Sequence, residues 1–177
     1  MGQRRLVTGV REGRATVLSD GPVPTEHQFA AVPGMTSAVL WTTAPQPEID
    51  VAEAAPAGVY WHPAPGGTVL AVVDFAPDSV MAQPDFDFAS AGAEQMQHLP
   101  GLAERFEQDN PGMHTTETVD YAIVQQGNIW LELEAGEPSL LEAGDVVIQQ
   151  RTRHAWRNRS SEPARVVFVL IGTDRQR

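Results

Sequence analysis

The side chains best suited to chemistry lie in residues 112–127, a stretch whose pattern is typical of β-strands ending in a turn. In a strand, alternate side chains point to the same face. One face would carry four polar side chains: His114, Thr116, Thr118 and Asp120. The other face would be apolar, with Val119, Tyr121 and Ile123. Imidazole and carboxylate groups transfer protons and bind metal ions, so the polar face is the first candidate for a site.

A second segment places another histidine in a comparable setting. An apolar strand and a polar turn at residues 150–153 lead from Gly144 to His154, Trp156 and Asn158. His154 and Trp156 alternate along the chain and would share the inward face of a strand. The sequence therefore predicts two histidines on two separate strands.

The spacing of these residues resembles the two motifs of the cupin family. The first motif reads His-x-His, three or four residues, Glu, six residues and Gly. Its positions are held here by His114, Thr116, Asp120 and Gly127. The second motif runs from Gly to His-x-x-x-Asn and is matched by Gly144, His154 and Asn158. The sequence departs from the family pattern where Thr116 replaces the second His and Asp120 replaces the Glu.

The resemblance implies an all-β fold, a double-stranded β-helix or jelly-roll barrel with a small-molecule cavity at its open end. One barrel domain is expected over residues 61–177, with one or two short helices. Residues 1–60 would be a strand-bearing extension that packs on the barrel or on a second subunit. Because such an extension is too short for its own core and exposed strand edges pair, we expect a two-fold homodimer.

The resemblance also implies a divalent metal ion, Fe, Mn, Ni or Zn, held in the barrel by His114, Asp120 and His154. Two imidazoles and a carboxylate leave open positions on such an ion. Thr116 puts a neutral hydroxyl where the family has a strong donor, so a metal-free, hydrogen-bonded pocket is the alternative. In that case Asp120 and His154 would be an acid–base pair for an isomerisation, dehydration or cyclisation.

The expected function is a metal-dependent enzyme acting on a small organic acid or an aromatic or polyketide-like metabolite, of oxygenase, isomerase, lyase or cyclase type. The same two histidines and aspartate would be catalytic. Substrate contacts are expected from Thr116, Thr118, Trp156, Arg151 and Arg153. Alternatively, the arginines pair with surface acids and the tryptophan packs in the core. A small-molecule-binding cupin without turnover is the second hypothesis.

The elements that must position these residues are predicted mainly as strands. They are expected at residues 4–10, 15–19, 36–43, 67–75, 129–134, 146–148 and 166–171. Short helices are expected at residues 90–97 and 101–108, separated at Pro100. Five prolines in residues 44–65 predict an irregular connection. His62 and His98, in or beside such connections, could reach a pocket entrance, but the favoured expectation is that they lie at the surface.

Composition excludes several classes of site. The 177 residues include no Cys, and all 12 positively charged side chains are Arg. Disulfides, iron–sulfur ligation, thiol nucleophiles and Schiff-base lysines are therefore absent. A net charge of -11 argues against nucleic acid and anionic membranes as partners. Because no apolar run approaches the ~18 residues of a membrane span and no apolar signal core follows Met1, a cytoplasmic location is expected.

Overall fold

The computed structural model describes residues 2–55 and 60–174, whose regular elements are mainly antiparallel strands. The strands are β1 (Arg4–Arg11), β2 (Arg14–Pro22), β3 (His27–Gln28), β4 (Thr36–Thr43), β5 (Thr68–Phe75), β6 (Thr118–Gln126), β7 (Asn128–Leu133), β8 (Ser139–Glu142), β9 (Val146–Gln150), β10 (His154–Arg157) and β11 (Ala164–Gly172). The helices are α1 (Asp78–Met81), α2 (Phe88–His98) and a 3-10 turn at Ala103–Arg105. The predicted all-β class is confirmed.

The strands form three sheets. The largest has the order β3-β4-β5-β11-β6-β9, a second has the order β10-β7-β8, and β1 and β2 form a separate hairpin. Residues of the two larger sheets share one buried cluster, in which Ile129 of β7 joins Val124 of β6 and Val166 of β11. Two antiparallel sheets around one core are the arrangement of a jelly-roll barrel.

Strand β6 and the residues before it turn their polar side chains inward, as the sequence predicts. The polar side chains are all buried: His114, Thr116, Thr118 and Asp120. On the alternate positions, Tyr121 is exposed and Val119 and Ile123 are half-buried on the outer surface. The period of two therefore decides which side chains can reach the interior.

The outer face of the largest sheet is apolar across β9, β6 and β11. Cross-strand register places Tyr121 beside Ile148 and Val169, and Ile123 beside Val146 and Val167. We call these six residues the outer patch. On the β4 and β5 side of the sheet, the chain covers its own apolar surface, because Val23, Ala38 and Val72 form a small buried cluster against which Val167 of the outer patch packs.

The first 60 residues contribute to the main sheet. β4 pairs with β5, and its bounds agree with the predicted strand at residues 36–43. Arg5 of β1 anchors the hairpin, since its guanidinium lies 5.4 Å from the centre of the Trp41 ring and donates to Leu40 O at 2.8 Å. The domain boundary near residue 60 and any packing on a second subunit stay predictions.

Some local predictions need correction. The first predicted helix is present as α2, whose first turn is capped by Asp87. The second, at residues 101–108, is reduced to the 3-10 turn, because Phe106 is extended and Glu107 N bonds to Met113 O at 2.9 Å, which turns the chain back. β3 and β8 are not predicted. The irregular connection at residues 44–65 is confirmed except at 56–59, which lie outside the described residues.

In the described ranges, no helix has both the length and the apolar character needed to cross a membrane.

Candidate functional site

A cavity of about 670 Å³ lies inside the barrel. Its walls are mainly apolar and include the aromatic side chains of Trp61, Phe75, Phe86, Phe106, Trp156 and Phe168. One part of the lining is polar and consists of His114, Thr116, Thr118, Asp120 and His154. A mostly apolar cavity with a few convergent polar groups is the usual form of a small-molecule site.

The two histidines meet through their main chains. His114 N donates to His154 O and His154 N donates to His114 O, each at 2.9 Å, in an isolated antiparallel bridge. Their ring centres are 4.3 Å apart, with the planes inclined by 51°. The structure therefore brings together the two residues that the motif spacing predicts to converge.

The ring nitrogens have defined roles. Nδ1 of His114 lies 2.9 Å from Gly112 O, and Nδ1 of His154 lies 2.9 Å from Thr152 O. Because a carbonyl only accepts, each Nδ1 carries the proton, and each Nε2 keeps a lone pair while the ring is neutral. Burial lowers the pKa of both rings, and with the neighbouring His114 it brings the pKa of His154 to about 4. Both histidines are thus neutral acceptors near pH 7.

The carboxylate of Asp120 is buried, so water solvates it only partly. Its Oδ1 has no hydrogen-bond partner among the residues that the structure describes, and burial raises its pKa to about 6. The nearby hydroxyl of Thr118 opposes this rise, although that hydroxyl also donates to Thr116 Oγ1 at 2.8 Å. Because an unpaired buried carboxylate is costly, its presence in a cavity is typical of a functional group.

The histidine pair suits a metal ion better than the predicted set of three ligands does. Metal-bound imidazoles are neutral and donate their second nitrogen to a carbonyl or carboxylate, which describes both His114 and His154. Asp120 does not join them: within residues 2–55 and 60–174, no group of three or more His, Cys, Asp or Glu could hold a metal ion. The metal-binding and catalytic roles of these three residues stay predictions.

The residues predicted to contact substrate divide into two groups. Thr116, Thr118 and Trp156 line the cavity, whereas Arg151 and Arg153 do not. Arg153 precedes the inward-facing His154 on the chain and, on the alternate face, donates to Glu107 at 2.7 and 2.6 Å. Arg151 lies in the preceding turn with φ 54°. The geometry therefore gives no support to substrate binding by these two arginines.

Two further histidines also differ from the prediction that they lie at the surface. His62 lines the cavity, and its Nε2 accepts a hydrogen bond from Glu117 N at 3.2 Å. Burial lowers the pKa of this ring. His98 is half-buried and stacks on His27, with ring centres 3.4 Å apart. In both cases tertiary packing decides how exposed the ring is, and the prolines in the neighbouring sequence do not predict that packing.

Sequence reasoning missed the cavity wall beside the first histidine. Phe106 packs its ring edge-on against His114 at 5.3 Å, and Arg157 and Gly112 also line the cavity. The one signal in the sequence was the Pro111-Gly112 pair before His114. It marks a turn, and Gly112 has φ 83°, a conformation that favours glycine.

Comparisons with known proteins agree with the geometry. The family model described as Cupin domain matches residues 106–170. Phomopsin biosynthesis cluster protein C' of Diaporthe leptostromiformis is 36% identical over 108 residues, which are 60% of this chain and 41% of that protein. A cupin-domain-containing oxidoreductase of Neurospora crassa is 32% identical over 93 residues, which are 50% of this chain and 44% of that protein. The chain thus spans less than half the length of these relatives.

Solved structures include a Cupin 2 conserved barrel domain protein from Salinispora arenicola, with 17% identity and a TM-score of 0.37 over 59% of this chain and 62% of that one. An RmlC-like cupin from Methanocaldococcus jannaschii has 14% identity and a TM-score of 0.39, over 59% of this chain and 70% of that one.

Proposed function

Since the chain belongs to the cupin family, with its cupin domain at residues 106–170, we propose that it is an enzyme of secondary metabolism that transforms an uncharged aromatic or polyketide-like metabolite. The names of its fungal relatives, which include biosynthesis cluster proteins and oxidoreductases, support the metabolic setting. The observation that carries the proposal is the cavity of about 670 Å³, whose lining combines two neutral histidines, several aromatic side chains and an Asp120 oxygen that has no hydrogen-bond partner within residues 2–55 and 60–174.

The charges around the cavity favour an uncharged substrate over an organic acid. Arg157 is the one arginine among the described lining residues, and the chain has no lysine. All three guanidinium nitrogens of Arg157 donate to protein groups. A substrate carboxylate would also approach Asp120 and two neutral rings, which offer it no compensating charge. A planar, mostly apolar molecule with a hydroxyl or carbonyl group fits this lining better.

The side chains divide the chemistry between them. Nε2 of His114 and Nε2 of His154 can accept hydrogen bonds from a substrate hydroxyl and so fix its orientation. Asp120 is the better proton acceptor, because its pKa of about 6 lies closer to neutrality than the pKa of His154, about 4. The aromatic walls exclude water from the group that loses the proton.

A divalent ion would be held by the Nε2 atoms of His114 and His154 and would supply Lewis-acid chemistry or oxygen binding. Any further ligands would come from water or substrate, since the described residues contain no group of three His, Cys, Asp or Glu side chains that could hold the ion.

A small-molecule-binding protein without turnover is the second candidate. It is favoured by the pKa of His154, about 4, because so weak a base accepts hydrogen bonds more readily than protons near pH 7. In this case the cavity would select ligands by shape and by one hydroxyl contact.

The test begins with protein purified without chelator, in which metal content is measured and conversion of hydroxylated aromatic aldehydes and ketones is followed by mass spectrometry. His114→Ala and His154→Ala should each reduce turnover by roughly 10²-fold or more, because the substrate hydroxyl is no longer held in position for the reaction. Arg159→Gln, on the exposed surface, is the control. Saturable binding with no product, and with an affinity that does not change when metal is stripped from the protein, would support the binding protein instead.

A further inference from the structure

One arginine on β10 ties together parts of the wall beside the histidine pair. Arg157 donates from Nε to Glu132 Oε2 at 2.8 Å, from Nη1 to Pro111 O at 2.7 Å and from Nη2 to Asn110 Oδ1 at 2.7 Å. Its side chain is 18% exposed, so water competes little for these bonds. The guanidinium therefore connects β7 to the loop of residues 107–113.

The 107–113 loop carries the carbonyl that orients His114. Nη1 of Arg157 holds the carbonyl of Pro111, the residue before Gly112, and Gly112 O accepts the Nδ1 proton of His114. Two main-chain bonds of 2.9 Å close the loop, from Glu107 N to Met113 O and from Met113 N to Asn110 O. Because the peptide unit is planar, holding Pro111 O also fixes where the backbone of Gly112 begins.

Gly112 makes this connection sensitive to its anchor. Its φ of 83° favours glycine, and glycine has the most conformational freedom to lose when it is ordered. A Cβ at this position would lie 3.5 Å from Arg157 Nη1, so the guanidinium lies directly against the turn. Without the guanidinium, the closest side-chain restraint on this turn would be lost.

We propose that Arg157 is a positioning residue: it holds the 107–113 loop so that Gly112 O stays on Nδ1 of His114, which leaves Nε2 free to accept in the cavity. If the carbonyl moves away, the proton is free to shift to Nε2 and occupy the lone pair that the site uses. The inference rests on the proposed function, because it treats His114 as part of the site. Its test requires no turnover.

Arg153 offers a matched control, since it belongs to the same chain segment and holds the same loop. It bonds to Glu107, at the far end of the loop from Gly112. The Arg153 and Glu107 side chains are 34% and 31% exposed, so solvent weakens this pair. Loss of the Arg153 pair should therefore leave the carbonyl on His114 in place.

Long-range proton–nitrogen NMR spectra of protein labelled with nitrogen-15 histidine, recorded near pH 7, distinguish protonated from bare ring nitrogens. The signals of His114 are assigned by their loss in His114→Asn. The parent and Arg153→Gln should show the Nδ1–H form. Arg157→Gln should lower the ratio of the Nδ1–H to the Nε2–H form of His114 by about three- to tenfold, the effect of losing one buried hydrogen bond.

Two further variants keep the test decisive if Arg157→Gln does not fold. Asn110→Ala removes one loop contact but keeps the ion pair of Arg157 with Glu132, and it should shift the ratio in the same direction by a smaller amount. Arg157→Lys replaces the planar guanidinium with one ammonium group and should give a tautomer ratio between those of the parent and Arg157→Gln.

The proposal is overturned if folded Arg157→Gln and Asn110→Ala both keep the parent ratio, or if Arg153→Gln changes it as much as Arg157→Gln does. When Arg157→Gln is unfolded, Asn110→Ala alone decides. Failure to find turnover of any substrate would count against the proposed function and would leave the tautomer result standing.

Discussion

The two faces of β6 reverse the usual distribution of side chains in a sheet strand. Asp120, on the inner face, is 4% exposed, whereas its neighbour Tyr121, on the outer face, is 41% exposed. In an isolated subunit both faces cost free energy, because one removes a carboxylate from water and the other leaves apolar surface in water. From this difference we propose two separate binding roles, with a small molecule inside and another protein surface outside.

The largest expected effect concerns the free energy that it costs to bury the carboxylate of Asp120 on the inner face. The rise in the pKa of Asp120 from its ordinary 3.8 to about 6 means that the folded protein binds a proton more readily than the unfolded chain between these values. The stabilisation from this proton is complete below the ordinary value and is lost as the pH rises through 6. We expect Asp120→Asn to raise the free energy of unfolding at pH 7 by ~3 kcal/mol and to have no effect near pH 3.5.

Urea unfolding of both proteins at the two pH values measures this difference. Protonation of His154 on acidification also destabilises the fold, because its pKa is lowered to about 4, but this contribution is common to both proteins and cancels. Asp109→Asn, on the exposed loop, is the control. An Asp120→Asn variant no more stable than the parent at pH 7 would show that the inner face carries no such cost.

The next effect concerns the outer face, which we propose as the contact with a second copy of the chain. The outer patch bears no charged side chain on a chain of net charge -11, so two identical patches can meet without repulsion. Ile148→Glu should raise the dimer dissociation constant roughly thirtyfold, or ~2 kcal/mol, because an apolar side chain is no longer buried.

Light scattering across a concentration series tests the assembly. Leu140→Glu is the matched control, since Leu140 is similarly exposed but lies on β8 of the other sheet. A parent protein that is monomeric at every concentration, or equal weakening by both substitutions, would remove the outer patch as the interface. The homodimer expected from the sequence stays a prediction until this measurement.

The smallest effect returns to the inner face, at the position where the family has a second histidine. Thr116 is buried and lines the cavity together with His114 and His154. A third imidazole here should raise the affinity for iron(II), manganese(II) or zinc(II) by about tenfold, or ~1.4 kcal/mol. Calorimetric titration of Thr116→His and of the parent gives the comparison, with Thr118→Asn as a control for polarity alone. Equal affinities would mean that the histidine pair is not a metal site.

Features that depend on periodicity could be predicted from the sequence. The alternation around β6 identifies the four inward polar residues, and the apolar run of β4 defines its bounds, because both depend on neighbours along the chain. The motif spacing brings His114 and His154 together across two strands. Each of these features repeats over several residues, so one unexpected side chain does not obscure it.

The sequence does not predict features that depend on a single distant partner. The position of Arg153 next to a polar turn resembles that of a substrate-binding residue, but its guanidinium donates to the carboxylate of Glu107, which is far away in the chain. Asp120 completes a three-residue ligand set by spacing alone, yet the described part of the fold contains no group of three such side chains that could hold a metal ion. The length of one turn or the rotamer of one side chain decides such cases, and no local pattern encodes either.

The reciprocal main-chain bridge between residues 114 and 154 holds these two positions together independently of the chemistry of their side chains. Its two bonds join backbone atoms, so neither requires an imidazole at either position. Paired substitutions, such as two carboxylates or one amide and one hydroxyl, could therefore be introduced without moving the two backbone positions apart. For protein engineering, the backbone at these two positions stays fixed while the side chains can be exchanged. A small combinatorial library at the two positions would therefore sample different reactions in the same cavity.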